Sequence, residues 1–299
     1  MNSVYQFREW AEVCKKSRGW TSLYIDNLIF FEKDMKLPLL GKKKILFAEG
    51  VDIELLKNHD KTKTKKYHDI LFSTFSYDGK LKGFYETNMH TITIDLSKPL
   101  DELWTSLEKK SIRWGIKKAE AEGVIVKDAD SEKELEEFYQ MYISTCHQGG
   151  LIPEKYEFFS SINDILVPKK LAKILVAKKN GKVVSGAILL ISQDYTTLNL
   201  TGTNDEGQKS QANVLVYWEL IKFSKEIGRK WFDLGGYDVY AKSGEKAYFV
   251  NRFKKRWGGQ IIRRPIYTHS ATYFLALRLA RVFRGLLSFW NRHKLAETV

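Results

Sequence analysis

Apolar residues gather into short runs at readable spacing, most clearly in the second half of the chain. Lys173–Ala177 and Val183–Ser192 are apolar segments separated by Asn180-Gly181, a pair that predicts a tight hairpin. Tyr195–Thr201 has the composition of a third strand. Ala212–Ile227 then carries apolar residues at helical spacing and stops at Gly228. Trp231–Leu234 alternates poorly but is apolar enough for a short buried strand, and Gln260–Tyr267 predicts another. In the first half, Met1–Gly19 predicts a helix ending at Gly19, and Trp20–Ile29 and Lys44–Ala48 predict strands. The basic run Lys61–Lys66 leads into Tyr67–Phe75. Thr91–Leu96 alternates as TITIDL, a strand pattern. Pro99 opens a helical region with Asp101 and Glu102 in its first turn, where they complement the helix dipole.

Composition adds one strong feature. The 299 residues carry 49 Lys and Arg against 36 Asp and Glu, a formal net charge of +13. That balance favours anionic partners such as nucleic acid, phosphorylated precursors or acidic lipid. The cations cluster at Lys42–Lys44, Lys61–Lys66, Lys109–Lys118 and Lys254–Arg256. The two cysteines, Cys14 and Cys146, lie far apart with no CxxC spacing, so neither a disulfide scaffold nor a zinc site is indicated. The histidines show no metal-ligand spacing. No apolar run reaches the ~20 residues of a membrane span, and the start of the chain has no secretory pattern. These features place the chain in the cytoplasm.

Chemistry concentrates between Trp231 and Gly259. Asp233-Leu234-Gly235-Gly236 places a paired-glycine turn after a buried strand, and Phe253-Lys254-Lys255-Arg256-Trp257-Gly258-Gly259 sets three cations between two aromatics. Upstream, Ile94-Asp95-Leu96 and Leu103-Trp104 precede a basic segment from Lys110 through Arg113, Lys117 and Lys118 to Gly123-Val124. These two ordered blocks resemble signatures of the FemAB/FemX family, whose members are peptidyl or aminoacyl transferases that build interpeptide bridges on cell-wall precursors. The resemblance spans roughly residues 20–265.

The order helix, hairpin, strand, helix, strand is that of a GNAT acyltransferase domain. The resemblance implies an α/β (α+β) fold of two tandem GNAT-like domains, each a mixed sheet flanked by helices. The expected boundaries are a degenerate domain over 1–97 that recovers a strand near 260–270, and a transferase domain over 98–259. A C-terminal basic amphipathic helix is expected over 271–292. Its Leu279, Phe283, Leu286 and Trp290 share one face, and Arg278, Arg281, Arg284 and Arg292 lie opposite. Such a helix suits an anionic membrane surface, and packing on the protein body suits it equally.

Aminoacyl transfer needs a neutral amine, aligned substrates and a stabilised oxyanion. In the position of the family's FK pair, Lys254 is implied as the catalytic cation, with Phe253 walling the site. By charge-run pattern alone, Lys254 to Arg256 would be a solvated turn. Tyr237 and Asp238, just past the glycines, are expected to touch substrate, while Asp233, Gly235 and Gly236 shape the turn. Arg113 and Lys117 fall on one helical stripe suited to a pyrophosphate or an RNA backbone, and a solvated face fits that stripe equally. Thr145 and His147, read as a loop before Gly149-Gly150, stand where precursor-binding members resemble T-x-R. Histidine there departs from the family's arginine.

The acyl-CoA loop of GNAT enzymes, (Q/R)-x-x-G-x-(G/A), corresponds to Gln208–Asn213, where Gln211 and Asn213 replace the glycines. This weakens a CoA donor and favours aminoacyl-tRNA. The leading expectation is a transferase moving an amino acid from aminoacyl-tRNA to an amine of a phosphorylated or lipid-linked envelope precursor. It needs no metal or organic cofactor and works at the inner face of the membrane. The alternatives are an acyl-CoA-dependent N-acyltransferase on an envelope sugar, and a non-enzymatic RNA- or lipid-binding protein on a decayed transferase fold.

Overall fold

The computed structural model describes residues 3–37, 41–58, 60–63, 68–73, 81–272 and 274–275. In chain order the elements are α1 (Arg8–Arg18), β1 (Thr21–Ile25), β2 (Leu28–Leu37), β3 (Gly41–Val51), α2 (Ile53–Lys57), β4 (His68–Ser73), β5 (Tyr85–Asp95) and α3 (Leu100–Ser106). A π-helical turn (Lys109–Arg113) runs into α4 (Trp114–Ala121), followed by β6 (Ile125–Asp128), α5 (Glu132–Gly149) and α6 (Tyr156–Ser161). A second π-helical turn, Ile162–Leu166, leads to β7 (Ala172–Lys179), β8 (Lys182–Ile191) and β9 (Tyr195–Thr203). The last elements are α7 (Asp205–Lys209), α8 (Ala212–Glu226), β10 (Trp231–Tyr237), α9 (Lys246–Lys255) and β11 (Gln260–Thr268).

The chain divides into two units, one of residues 1–19 with 89–263 and one of residues 20–88 with 264–299. The division assigns the N-terminal helix differently from the expectation that grouped residues 1–97. The reason is packing. Trp10 of α1 meets Phe158 of α6 edge-on at 5.9 Å, and Arg18 pairs with Glu154 at 2.6 Å. Helix α1 ends where Gly19 takes a left-handed conformation and caps the last carbonyls.

In the larger unit the strands run in the order β5-β10-β9-β8-β7-β6. Hairpin β7–β8 turns at Asn180 and Gly181, both at positive φ, as the dipeptide predicts. All neighbouring pairs in this sheet are antiparallel except β9 with β10. One face carries Ile92, Ile94, Ala187, Leu189, Phe232 and Leu234, and packs on Ile116 and Ala119 of α4 and Trp218 and Ile221 of α8. Each large apolar side chain buried there contributes about 1.5–3 kcal/mol.

The smaller unit has its own mixed sheet, β1-β2-β3-β4-β11, in which only β3 with β4 is parallel. Its core gathers Leu28, Phe30, Leu46, Leu71 and Tyr267. The mixed α/β class is as expected. No helix among the described residues is long and apolar enough to cross a membrane. The expected tail helix over 271–292 lies almost wholly outside the described residues.

Candidate active site

The site is built where the sheet of the larger unit opens. β9 and β10 pair in parallel at Trp231–Tyr195, Phe232–Thr196 and Asp233–Thr197, and the pairing stops there while both strands continue. On its other side β10 slips register against β5 between Asp233 and Gly236, a bulge. Bulges re-aim the backbone beside functional sites. The Asp233 carboxylate, 4 % exposed, fixes this one by accepting from the Gly235 amide at 2.7 Å and from the Thr91 hydroxyl. Gly235 sits at φ 77°, a conformation that disfavours side chains.

Lys254 reaches this bulge from α9. Its ammonium donates to the Gly236 carbonyl at 2.8 Å and lies beside Gly235. Lys254 and Lys255 therefore end a helix, with Lys255 exposed and Arg256 in the turn beyond, and Lys254 is the cation of the run that is drawn into the site. Burial pushes the Lys254 pKa down to about 8, against a smaller upward pull from the Asp233 carboxylate. Phe253 walls the site with Tyr217 of α8, at 5.8 Å and edge-on, and with Trp257 at 6.1 Å. Tyr217 in turn packs on Trp257 at 5.6 Å and hydrogen-bonds Thr201, and burial raises its hydroxyl pKa.

Asn251 is the residue that sequence reasoning missed. It is 7 % exposed, donates to the Asp238 carbonyl at 2.7 Å and accepts from the Asp238 amide at 3.1 Å. One turn later on the same helix face comes Lys254. Asn251 thus clamps the strand exit to α9 and fixes where Lys254 projects. A polar residue inside an otherwise basic and apolar helix was its only sequence signal.

The other expected site residues separate into groups. Tyr237 is half-buried, with the Lys255 ammonium over its ring at 5.5 Å. The Asp238 carboxylate accepts from the Tyr240 amide at 3.0 Å, so it shapes the loop that follows. Thr145 and His147 occupy the last turn of α5 rather than a loop. Ser131 caps that helix by accepting from the Glu134 amide, and a left-handed Gly150 closes it. The Ser131-x-x-Glu134 spacing is a capping-box signal that announces the helix start. Thr145 hydroxyl donates to the Met141 carbonyl at 2.9 Å, and His147 is exposed. The α5 end is nevertheless brought to α9, because the Lys246 ammonium donates to the Gln148 carbonyl. Cys146 is buried and its thiol is pushed up by burial, which removes it as a nucleophile.

Arg113 and Lys117 lie on the segment that begins at Glu108. The Glu108 amide donates to the Arg256 carbonyl at 2.9 Å and its carboxylate pairs with Arg256 at 3.2 Å, so this segment is tied to the end of α9. Gly115 lies against the side chain of Gln211, at the start of α8. Gln211 holds φ 61°, the left-handed conformation that glycine would favour at this loop position. Several amides of the loop are already used: Gly207 and Gln208 donate to Asn204, Ser210 to Glu206, and Gln211 to Gln208.

A GNAT acetyltransferase domain model matches residues 107–255, the span that holds these groups except Thr91, Arg256 and Trp257. The crystal structure of FemX superposes with a TM-score of 0.73 at 16 % identity, over 93 % of each chain. The chain carries a GNAT domain on a fold shared with FemX. A UDP-N-acetylmuramoylpentapeptide-lysine N(6)-alanyltransferase from Weissella viridescens is 26 % identical over 165 residues, 55 % of this chain and 48 % of that protein. The chain therefore spans about half the length of this curated relative. The FemX-like fold is also shared with the C-terminal domain of a putative lysylphosphatidylglycerol synthetase from Agrobacterium fabrum. That match has a TM-score of 0.63 at 13 % identity, over 93 % of this chain and 91 % of that one.

The buried position of Lys254 makes stability depend on pH. Its folded pKa of about 8 lies below the unfolded value of 10.5, so between the two the unfolded chain binds more protons. Stability then rises with pH across that window, as the cost of burying the ammonium is relieved. Lys254→Met removes the ammonium altogether. The variant is expected to melt above the wild type at pH 7, and the gap is expected to narrow by pH 10. A constant gap in paired thermal melts would show that Lys254 keeps an ordinary pKa.

Proposed function

We propose that this protein is an aminoacyl- or peptidyltransferase that acylates an amine of a peptidoglycan or related envelope precursor. The observation that carries the reading is the Lys254 ammonium on the Gly236 carbonyl, beside the point where β9 and β10 part. In this reaction the amine nitrogen attacks the donor's ester carbonyl and forms a C–N bond. Negative charge develops on the carbonyl oxygen. The Lys254 ammonium, in a site walled by Phe253, Tyr217 and Trp257, is placed to stabilise it in a low-dielectric setting. Collapse breaks the ester C–O bond, and the proton lost by nitrogen balances the leaving oxygen. A lysine with a pKa of about 8 keeps its proton at neutral pH yet yields it more readily than a surface lysine. Tyr237 and the end of α5, with Thr145 and His147, flank the acceptor side in this reading. The match to an alanyltransferase acting on a muramoylpentapeptide supports the acceptor class.

We assign the donor as an RNA ester rather than acyl-CoA. A pyrophosphate cradle needs free amides at a helix start, and the segment Gln208–Asn213 spends three of its amides, those of Gln208, Ser210 and Gln211, on Asn204, Glu206 and Gln208. The competing acyl-CoA reading is favoured by the acetyltransferase domain match. Incubating the purified protein with a muramoyl-pentapeptide nucleotide and either charged tRNA or acetyl-CoA separates them. Transfer from the RNA ester is expected, with no heat of acetyl-CoA binding in the micromolar range. Micromolar CoA affinity with acetyl transfer would replace the donor assignment. We place the reaction in the cytoplasm at the inner membrane face, a location that suits a lipid-linked acceptor.

A further inference from the structure

Most basic side chains around α4 and its neighbours are neutralised. Lys118 and Lys179 reach Glu122 at 3.6 and 2.7 Å, Lys127 reaches Asp130 at 2.6 Å, Lys173 reaches Asp128 at 2.6 Å and Lys222 reaches Glu219 at 2.7 Å. One segment breaks this habit. Among the described residues, Lys109, Lys110, Arg113 and Lys117 pair with no carboxylate, although they crowd into three turns of helix. Glu108, the acid at the start of the segment, is spent on Arg256 and Ser111. Arg113 Nε is buried and has no hydrogen-bond partner among the described residues, a donor that calls for an oxyanion. In the midst of these cations stands Trp114, 52 % exposed, with the Lys118 ammonium over its ring at 5.2 Å.

We propose that the Lys109–Arg113 turn and the first turn of α4 form a platform for single-stranded RNA. One base stacks on Trp114, and flanking phosphates are held by Lys110, Arg113 and Lys117. The ligand class follows from the surface. Aromatic stacking beside unpaired cations is how single strands are held without regard to sequence. A membrane surface fits poorly, because the aliphatic residues of the segment face inward. Ile112 and Ile116 are each 1 % exposed and Ala119 is 0 % exposed, which leaves the indole with no apolar companions. The location fits a donor strand. The segment is bonded to Arg256, two residues beyond Lys254, and Gly115 touches the start of α8, whose Tyr217 walls the site. The platform rests on the RNA-ester reading for its purpose, but not for its existence.

The test uses the full chain and a fluorescein-labelled single-stranded oligoribonucleotide of about eight nucleotides, a length within the site size of single-strand binders, titrated by anisotropy between 50 and 200 mM salt, about the range used to read salt slopes. Trp114→Ala is expected to weaken binding about 5- to 150-fold, the range for one lost stacked base, and Trp114→Phe is expected to recover part of it. For three phosphate contacts the log–log salt slope is about −2, and Arg113→Gln with Lys117→Gln should flatten it by about 1.4. Thermal melts confirm that the variants fold. Wild-type affinity in Trp114→Ala, or salt-independent binding, overturns the platform. So does Trp114-dependent partition onto anionic vesicles without RNA binding. The two assignments fail separately. Trp114-dependent oligonucleotide binding with no transfer from any RNA ester keeps the platform and removes the donor. Transfer from an RNA ester with wild-type KM and oligonucleotide affinity in Trp114→Ala keeps the donor and removes the platform.

Discussion

Lys254→Ala is expected to lower kcat by ~10²–10³-fold, the cost of deleting one preorganised oxyanion partner. The substitution removes the only side chain seen to bind the Gly236 carbonyl among the described residues, and it leaves the Asn251 clamp on residue 238 in place. The fold is therefore expected to survive. Lys254→Arg gives a second, independent readout. The wild type is expected to lose activity as pH rises through about 8, where the ammonium deprotonates. Guanidinium stays charged throughout that range, so the arginine variant is expected to lose the alkaline limb whatever its absolute rate. Steady-state kinetics between pH 6 and 10 would check both. Turnover near the wild type in Lys254→Ala would remove the catalytic assignment.

Gly258→Ala is expected to lose about 2–5 kcal/mol of stability. Two costs add. Gly258 sits at φ 72°, where a side chain costs about 1–2 kcal/mol. A Cβ there would also stand 2.7 Å from Ser106 Oγ and 2.8 Å from the Ser106 carbonyl, and such overpacking costs about 1–3 kcal/mol. Gly228→Ala is the control. It has φ 73° but nothing within 4 Å of the added carbon, so only the first cost applies. Urea unfolding of the two variants is expected to separate them by at least about 1 kcal/mol. Equal losses would mean that Ser106 moves aside freely. The pair also bears on function, because Gly258 ends the stretch that carries Phe253, Lys254 and Trp257.

Much of the larger unit was legible because its signals are local. Asn180-Gly181 between apolar runs, the helical spacing of 212–227 and the cap at Gly19 each depend on a few neighbouring residues. The DLGG and FK segments were legible by resemblance, and the structure places Lys254 on the Gly236 carbonyl between them. What stayed hidden depends on distance along the chain or on unusual local geometry. Helix α9 has no plain apolar stripe, since it is held through Asn251 to a residue thirteen positions away. The segment from Lys109 looked like one regular helix, but its first turn is π, which alters how the cations project. Thr145 and His147 were read beside two glycines as a loop, although the Ser131-x-x-Glu134 start marks a helix that continues through them. The grouping of α1 with residues up to 97 followed chain order, whereas its buried face is complementary to Phe158.

The bond between Thr91 and Asp233 joins residues 142 positions apart. A ribosome adding about 5–20 residues per second delivers the second partner roughly 7–28 s after the first. Throughout that interval the edge of β5 that β10 will cover, with Ile92 and Ile94, has no β10 to pair with. Until residue 237 emerges, the nascent chain thus carries an unpaired strand edge, the kind of surface that makes partly folded chains prone to aggregate.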